Sequence, residues 1–402
     1  MPLRAVINLA GNGMATVLSA LSLLLAARAL GLADWGAAAA MLGLGQFLGG
    51  LLNWGTSVHH LREMSRATAD QATDQAHRFY FVRLTTAAVV SIFGLILLPM
   101  WSDSGAVITL VGGTYASLGA TIPFLARGRY SAAAALVVGE KAVAISSVAT
   151  LAALNALTSS SLLVAIGTAG VLGLAVAAFS VARGCDRKIS RKTSRPRDIV
   201  RQWAGSGYFA LASIAPSALL LDIGVVSLVA GNAQAGIYGV GARLAGPLSV
   251  AATTIVQVLL PALSRTTPRS LRLTLTPRGV VAFGATCVFF SALAVLLPYG
   301  IIAVLGGEYA ESMSVIRLFI VNAGMVLITR TLVTLLQAWR AERLAAILVA
   351  GQVVAALIWI AVAGWLGGAD AAAWGLVLSN FLLAIALFVA VARLVGDRDS
   401  EE

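Results

Sequence analysis

The sequence predicts an all-α polytopic membrane protein of about twelve transmembrane helices in two six-helix lobes, with both termini cytoplasmic. Three observations carry this. Apolar runs of about 20 residues, the length a helix needs to cross a bilayer, recur from end to end. With 59% hydrophobic and 11% charged residues and a mean hydropathy of +0.90, the composition excludes a soluble domain. Basic residues and tryptophans, finally, sit at the ends of these runs in a consistent pattern.

In order, the predicted spans are 5–27, 35–58, 84–101, 105–126, 130–154, 161–182, 203–230, 234–263, 279–305, 312–338, 344–366 and 371–392. The first is too long for a signal-peptide core and has no convincing cleavage site, so it reads as a span. With the N-terminus inside, the cytoplasmic segments hold Arg4, then Arg62, Arg66, Arg78 and Arg83, then Arg127 and Arg129. Arg183, Arg187, Lys188, Arg191, Lys192, Arg195, Arg197 and Arg201 follow in one cluster, then Arg265, Arg269, Arg272, Arg278, Arg340, Arg343, Arg393 and Arg398. Apart from Arg28, which closes the first helix, the outer loops hold no basic residue, while Asp34, Asp103, Glu308, Glu311 and Asp370 fall there. This asymmetry orients the chain by the positive-inside rule. Trp35, Trp101, Trp365 and Trp374 at outer ends, with Trp54, Trp203 and Trp339 at inner ends, match an aromatic belt.

The longest connection is the basic linker 183–202, read as an orientation-setting segment against anionic headgroups. It lacks the aromatic interleaving of a nucleic-acid site, so no nucleic-acid partner is expected. It divides the chain into an N-terminal lobe, 1–182, and a C-terminal lobe, 203–402. A faint repeat supports two halves: GLADWG at 31–36 returns as GNAQAG at 231–236, and Ser65-Arg66 as Ser264-Arg265.

The stretch 219–265 organises the functional reading. Two apolar helices meet at the 231–236 turn, and each carries one charge, Asp222 and Arg243, roughly 10–14 Å below the turn. An isolated charge in a bilayer costs at least about 2.5 kcal/mol, so each needs a partner or a water-filled cavity.

ARALGLADWGAAAA, LNWGTSVHHLREMSR, LLLDIGVVSLVAGNAQAGIYGVGARLAGP and IIAVLGGEYAESMSVIRLF resemble the Wzx-type polysaccharide flippases of the multidrug/oligosaccharidyl-lipid/polysaccharide exporter superfamily. The resemblance runs the length of the chain. It implies twelve spans, two lobes around a cationic cavity, and movement of undecaprenyl-pyrophosphate-linked oligosaccharides to the periplasmic leaflet of the bacterial inner membrane. Arg28, Asp222, Gly236, Tyr238 and Arg243 match the family pattern, whereas Asn53 stands where an acid is common. The lipid II flippases look similar but usually carry two further helices.

Five basic residues fall inside spans or at their outer ends and are the candidates to line a substrate cavity: Arg28, Lys141, Arg243, Arg317 and Arg330. Arg28 either complements the C-terminal dipole of the first helix or reaches the cavity. Arg243 and Arg330 are the leading candidates for substrate contact. Arg317 and Arg330 lie about 220° apart on span ten, so a straight helix cannot aim both into one cavity, and Arg317, nearer the outer face, can instead snorkel outward. Glu140 and Lys141 are consecutive and should not face each other, so at least one needs a partner on another helix. Glu140 and Asp222 are the coupling candidates, each either a structural partner or a titrating group. Gly45 and Gly49 read as a helix-packing face, and Pro216, Pro247, Pro261 and Pro298 as kinks.

His59, His60 and His77 share the second-to-third connection with no cysteine or carboxylate cluster around them, so no metal site is expected. Cys185 and Cys287 have neither metal nor disulfide spacing. No nucleophile with a base, phosphate-binding loop or metal set is present, so neither enzymatic activity nor a cofactor is expected. The sequence therefore reads as a flippase for a lipid-linked, anionic oligosaccharide destined for O-antigen, capsule or exopolysaccharide. Its partners would be that substrate, membrane lipids and glycan-assembly membrane proteins such as a polymerase. The alternatives are a multidrug/cation exporter of the same superfamily, which would want an acidic, aromatic cavity, and a non-transporting scaffold for glycan assembly.

Overall fold

The computed structural model describes residues 3–183, 214, 217–244, 248, 277–339 and 341–399. The basic linker beyond Arg183, much of spans seven and eight, and Trp203, Pro216, Pro247 and Pro261 lie outside the described residues. Within them the chain is all helical. Nine helices are long and apolar enough to cross a membrane, and the last, Arg343–Leu394, contains two spans. Gly368, at φ 69°, breaks that 58-residue helix (Glu342–Asp399) in two, a backbone conformation that favours glycine.

Two compact units form, one from Met1–Leu30 with Ala37–Gly224, the other from Gly31–Gly36 with Val225–Glu402. The first contains α1 (Leu3–Leu30), most of α2 (Leu32–Asn53), α3 (Thr56–Arg66), α4 (Ala69–Leu97), α5 (Ser102–Ala120), α6 (Ile122–Ala126), α7 (Tyr130–Ala153) and α8 (Ser159–Arg183). Its axis is α5, because SDSGAVITLVGGTYASLGA offers small residues on every side and lets neighbouring backbones approach closely. Gly113 lies against Gly167 and Gly170 of α8, and Gly112 against Ala87 and Ser91 of α4. Gly45 and Gly49 of α2 meet Leu110, Val111 and Thr114 of α5, the packing face expected of that pair.

Helix α4 starts earlier than its apolar run. Thr68 and Gln71 form a capping box that begins the helix at Ala69. The predicted third span, from residue 84, therefore misses its first turns, and Arg83 is the fifteenth residue of a helix rather than part of a cytoplasmic loop. Span four is interrupted at Thr121, after which Pro123 opens the short α6.

The second unit contains most of α9 (Asp222–Ala230), then α10 (Asn232–Leu244), α11 (Pro277–Leu305, with Pro298 inside it), α12 (Ser312–Ala338) and α13 (Glu342–Asp399). Its core lies along α12, where Val315, Ile316, Phe319, Ile320 and Ala323 are buried. The Tyr238 ring of α10 meets Phe319 edge-on at 5.0 Å, and Gly241 packs on the same phenylalanine and Val315. A buried amide network spans three helical segments: Asn380 Nδ2 donates to Asn322 Oδ1 at 2.9 Å, and Gln352 Nε2 reaches Asn380 Oδ1 at 3.4 Å. Neutral carboxamides satisfy one another here without burying a charge.

The echoed hexapeptides prove to be structural equivalents in contact. Helices end at Leu30 and Ala230 and restart at Leu32 and Asn232. Gly31 and Gly231 both take positive φ, 77° and 88°, and accept from Trp35 N at 2.9 Å and Ala235 N at 3.0 Å. Gly36 lies directly on the Asn232 carbonyl, and Gly236 directly on the Leu32 carbonyl. Each contact is the other shifted by 200 positions, and both stand within the second unit.

Two tryptophans depart from the expected belt. Trp35 is 1% and Trp339 8% exposed, so both pack inside protein. Trp101, Trp365 and Trp374 remain exposed at helix ends, as an interfacial ring requires.

Candidate functional site

The charged residues singled out by the sequence separate into distinct surroundings. Lys141 Nζ donates to Glu140 Oε1 at 2.6 Å, and Ser117 Oγ of α5 bonds both Glu140 oxygens at 2.8 and 2.9 Å. Glu140 is buried and Gly173 of α8 covers it. The expectation that adjacent helical positions cannot pair is thus corrected. The four-carbon lysine stem folds back on its neighbour, and Ser117 supplies the cross-helix contact.

Asp222 stands where a 3-10 turn tightens the helix that runs from Leu219 to Ala230. That turn, Leu219–Leu221, precedes it, and its Oδ1 accepts the backbone N–H of Ile223 at 2.7 Å. Asp222 falls in the first unit and Arg243, half-buried in the last turn of α10, in the second. Arg28 is exposed in the last turn of α1.

Arg317 and Arg330, both on α12, have unlike environments. Arg317 is half-buried, bonded to Tyr299 Oη at 3.3 Å and the Met313 sulfur at 3.4 Å, and lines a cavity of about 520 Å³. That cavity also presents Gln234, Glu311, Ser314 and Asp370. Arg330 is exposed, eight residues before the end of its helix, and among the described residues no carboxylate forms an ion pair with it.

One charged centre escaped the sequence reading. Arg83 is 1% exposed, at the meeting of α2, α3, α4 and α5. Its Nε donates to the Tyr115 carbonyl at 2.9 Å, its Nη2 to Asn53 Oδ1 at 2.8 Å, and its Nη1 to Thr56 Oγ1 at 3.4 Å. The guanidinium carbon stands 4.3 Å from the Tyr115 ring centre and 5.3 Å from that of Phe79, and Gly119 abuts it. Asn53 Oδ1 also accepts from Ser57 Oγ at 2.8 Å and Thr56 Oγ1 at 3.2 Å. Among the described residues no carboxylate touches this cation. The signal that could have found it is the Thr68-x-x-Gln71 capping box, which puts Arg83 about 21 Å along its helix.

His60, beside this centre on α3, is also buried, not on an open loop. Its ring meets Phe79 edge-on at 5.0 Å. Burial above all, then His59 and Arg83, lowers its pKa to about 4, against the weak pull of Glu63 at 3.7 Å. The folded protein thus binds fewer protons at this site than the unfolded chain between pH 6.5 and 4. Stability is full above pH 6.5 and falls as pH drops through that window, by up to about 3 kcal/mol. The thermal midpoint of the purified protein should decline from pH 7 to pH 4.5, and His60→Leu should flatten the decline. An equal slope in both proteins would remove His60 as its source.

Among the described residues no group of three or more His, Cys, Asp or Glu side chains is arranged to hold a metal ion.

No protein-family model and no curated protein sequence matches the chain. Solved structures do, across nearly its whole length. An inward-facing multidrug resistance MATE family transporter of the MOP superfamily superposes with a TM-score of 0.72 at 15% identity, covering 98% of this chain and 99% of that one. The lipid II flippase MurJ in an inward closed conformation gives 0.69 at 12% identity, covering 96% and 87%. A MOP superfamily transporter from Pyrococcus furiosus, described as having a binding pocket of reverse polarity, gives 0.58 at 13% identity, covering 98% and 94%. The chain shares the fold of these membrane transporters.

Proposed function

We propose that the protein is a transporter that flips a lipid-linked, anionic oligosaccharide across the bacterial inner membrane, as Wzx-type flippases do. The shared fold makes transport the leading class. The observation that favours an anionic cargo is Arg330, a cation on an apolar helix with no carboxylate paired to it among the described residues. Such a charge is stable only where water or an anion reaches it. A pyrophosphate head, which cannot cross hydrocarbon unaided, would meet its planar fork bidentately. Arg243 and Arg28 are the further candidates for that contact. Lys141 is occupied by Glu140, which leaves Asp222 as the stronger coupling candidate.

The test is delivery of surface glycan in a strain lacking its own flippase, with membrane abundance measured in parallel. Arg330→Gln should lose at least tenfold in delivery at unchanged abundance, and Arg330→Lys should keep part of it. A cation exporter would change resistance to cationic dyes and leave glycan untouched. Wild-type delivery by the Gln variant overturns the proposed cationic contact.

A further inference from the structure

We infer that the cavity on the acidic end of the second unit binds the hydroxyl groups of a neutral sugar, not a phosphate. It stands between the start of α10, the start of α12 and the Gly367–Gly368 break, all within that unit. Its volume of about 520 Å³ falls among those of small-molecule sites, about 300–1,000 Å³.

The lining decides the ligand class. Glu311 and Asp370 supply carboxylate acceptors, and Arg317 and Gln234 supply donors. Two acids against one guanidinium leave the cavity with a net negative charge, which repels pyrophosphate. A sugar hydroxyl both donates and accepts, so neighbouring hydroxyls on a pyranose match an alternation of carboxylate, guanidinium and amide. No charge has to be neutralised.

The groups are also held in place. Ser314 Oγ donates to Asp370 Oδ1 at 2.6 Å, fixing one carboxylate oxygen and leaving the other to accept. Gln234 Oε1 accepts the backbone N–H of Ala369 at 2.8 Å, which turns the amide so that its Nε2 remains a donor. That bond exists because Gly368, at φ 69°, breaks the helix and frees the Ala369 amide. Arg317, bonded only weakly to Tyr299 and Met313, keeps donors in reserve. Arg317, a substrate-cavity candidate from the sequence, is thereby assigned to carbohydrate.

The physiological side of this inference rests on the flippase reading: the glycan head would contact this cavity while the pyrophosphate engages Arg330. The binding itself does not. The purified full chain is mixed separately with glucose, galactose, N-acetylglucosamine and rhamnose, saturation transfer from protein to sugar is followed by proton NMR, and inorganic pyrophosphate is added as a competitor that should not displace the sugar. At least one neutral sugar should receive saturation, and Asp370→Asn and Gln234→Ala should each cut it at least fivefold without changing the thermal midpoint. Equal transfer in both variants, or none to any sugar, overturns the site. Absence of glycan delivery by the wild-type protein in the flippase-deficient strain would count against the flippase reading alone and leave the binding result standing. Delivery lost in Arg330→Gln but wild-type in both cavity variants would overturn the proposed role of this cavity in transport alone.

Discussion

Replacing Arg83 with alanine should remove most of the folded protein from the membrane. The side chain is 1% exposed and holds α2, α3 and α5 to α4 through the Asn53 amide, the Thr56 hydroxyl and the Tyr115 carbonyl. Its loss empties a close-packed site and leaves acceptors without their charged donor, at a cost on the order of 3–5 kcal/mol. Asn53→Asp should act in the opposite direction. Three donors already converge on Asn53 Oδ1, and a carboxylate there would give the buried guanidinium a counter-charge at hydrogen-bond distance. The same Asn53→Asp change made together with Arg83→Ala should be worse than Arg83→Ala alone, since it buries an unpaired acid. Membrane abundance and the thermal midpoint in detergent measure all three. Arg83→Ala at wild-type abundance and midpoint would show that the centre carries no structural burden.

The second large effect is expected at the paired turns. A Cβ built on Gly36 collides with the Asn232 carbonyl and comes within 2.7 Å of Gly236 N; one built on Gly236 collides with the Leu32 carbonyl. These neighbours are backbone and cannot rotate aside, so even Gly36→Ala must push the two turns apart. Loss of this contact should cost a few kcal/mol, as overpacking of a tight interior does. Because the contacts are reciprocal, whichever substitution comes first separates both. Gly36→Ala with Gly236→Ala should therefore lower the midpoint little more than either alone, a strong departure from additivity. Gly13, whose Cβ would meet nothing within 4 Å, provides the control: Gly13→Ala should be nearly silent. Fully additive losses would mean that the two glycines act in separate places.

The periodicity of apolar residues was enough for the fold class, since a bilayer demands helices of a set length and the chain repeats that length from end to end. The 31–36 and 231–236 echo, weak as letters, was a true equivalence, because glycine at positive φ is a conformational requirement that leaves a mark in sequence. Charge counts alone could not tell which charges meet. Arg83 was read as a loop residue because an apolar run begins just after it, whereas the Thr68 capping box starts the helix a full 14 residues earlier. Glu140 and Lys141 were separated by helical geometry, which places Cβ atoms but not the ends of long side chains. Trp35 and Trp339 looked interfacial by position, yet tertiary packing buried them. Arg317 was a cavity candidate of no stated ligand class until Glu311 and Asp370 came to line the same cavity with it. Span length and glycine turns are local properties, paid for by the backbone itself, and so are legible in order along the chain. A charge takes its meaning from neighbours far along the chain, as Asn53 is 30 positions from Arg83 and Ser314 is 56 from Asp370, and only the folded packing chooses them.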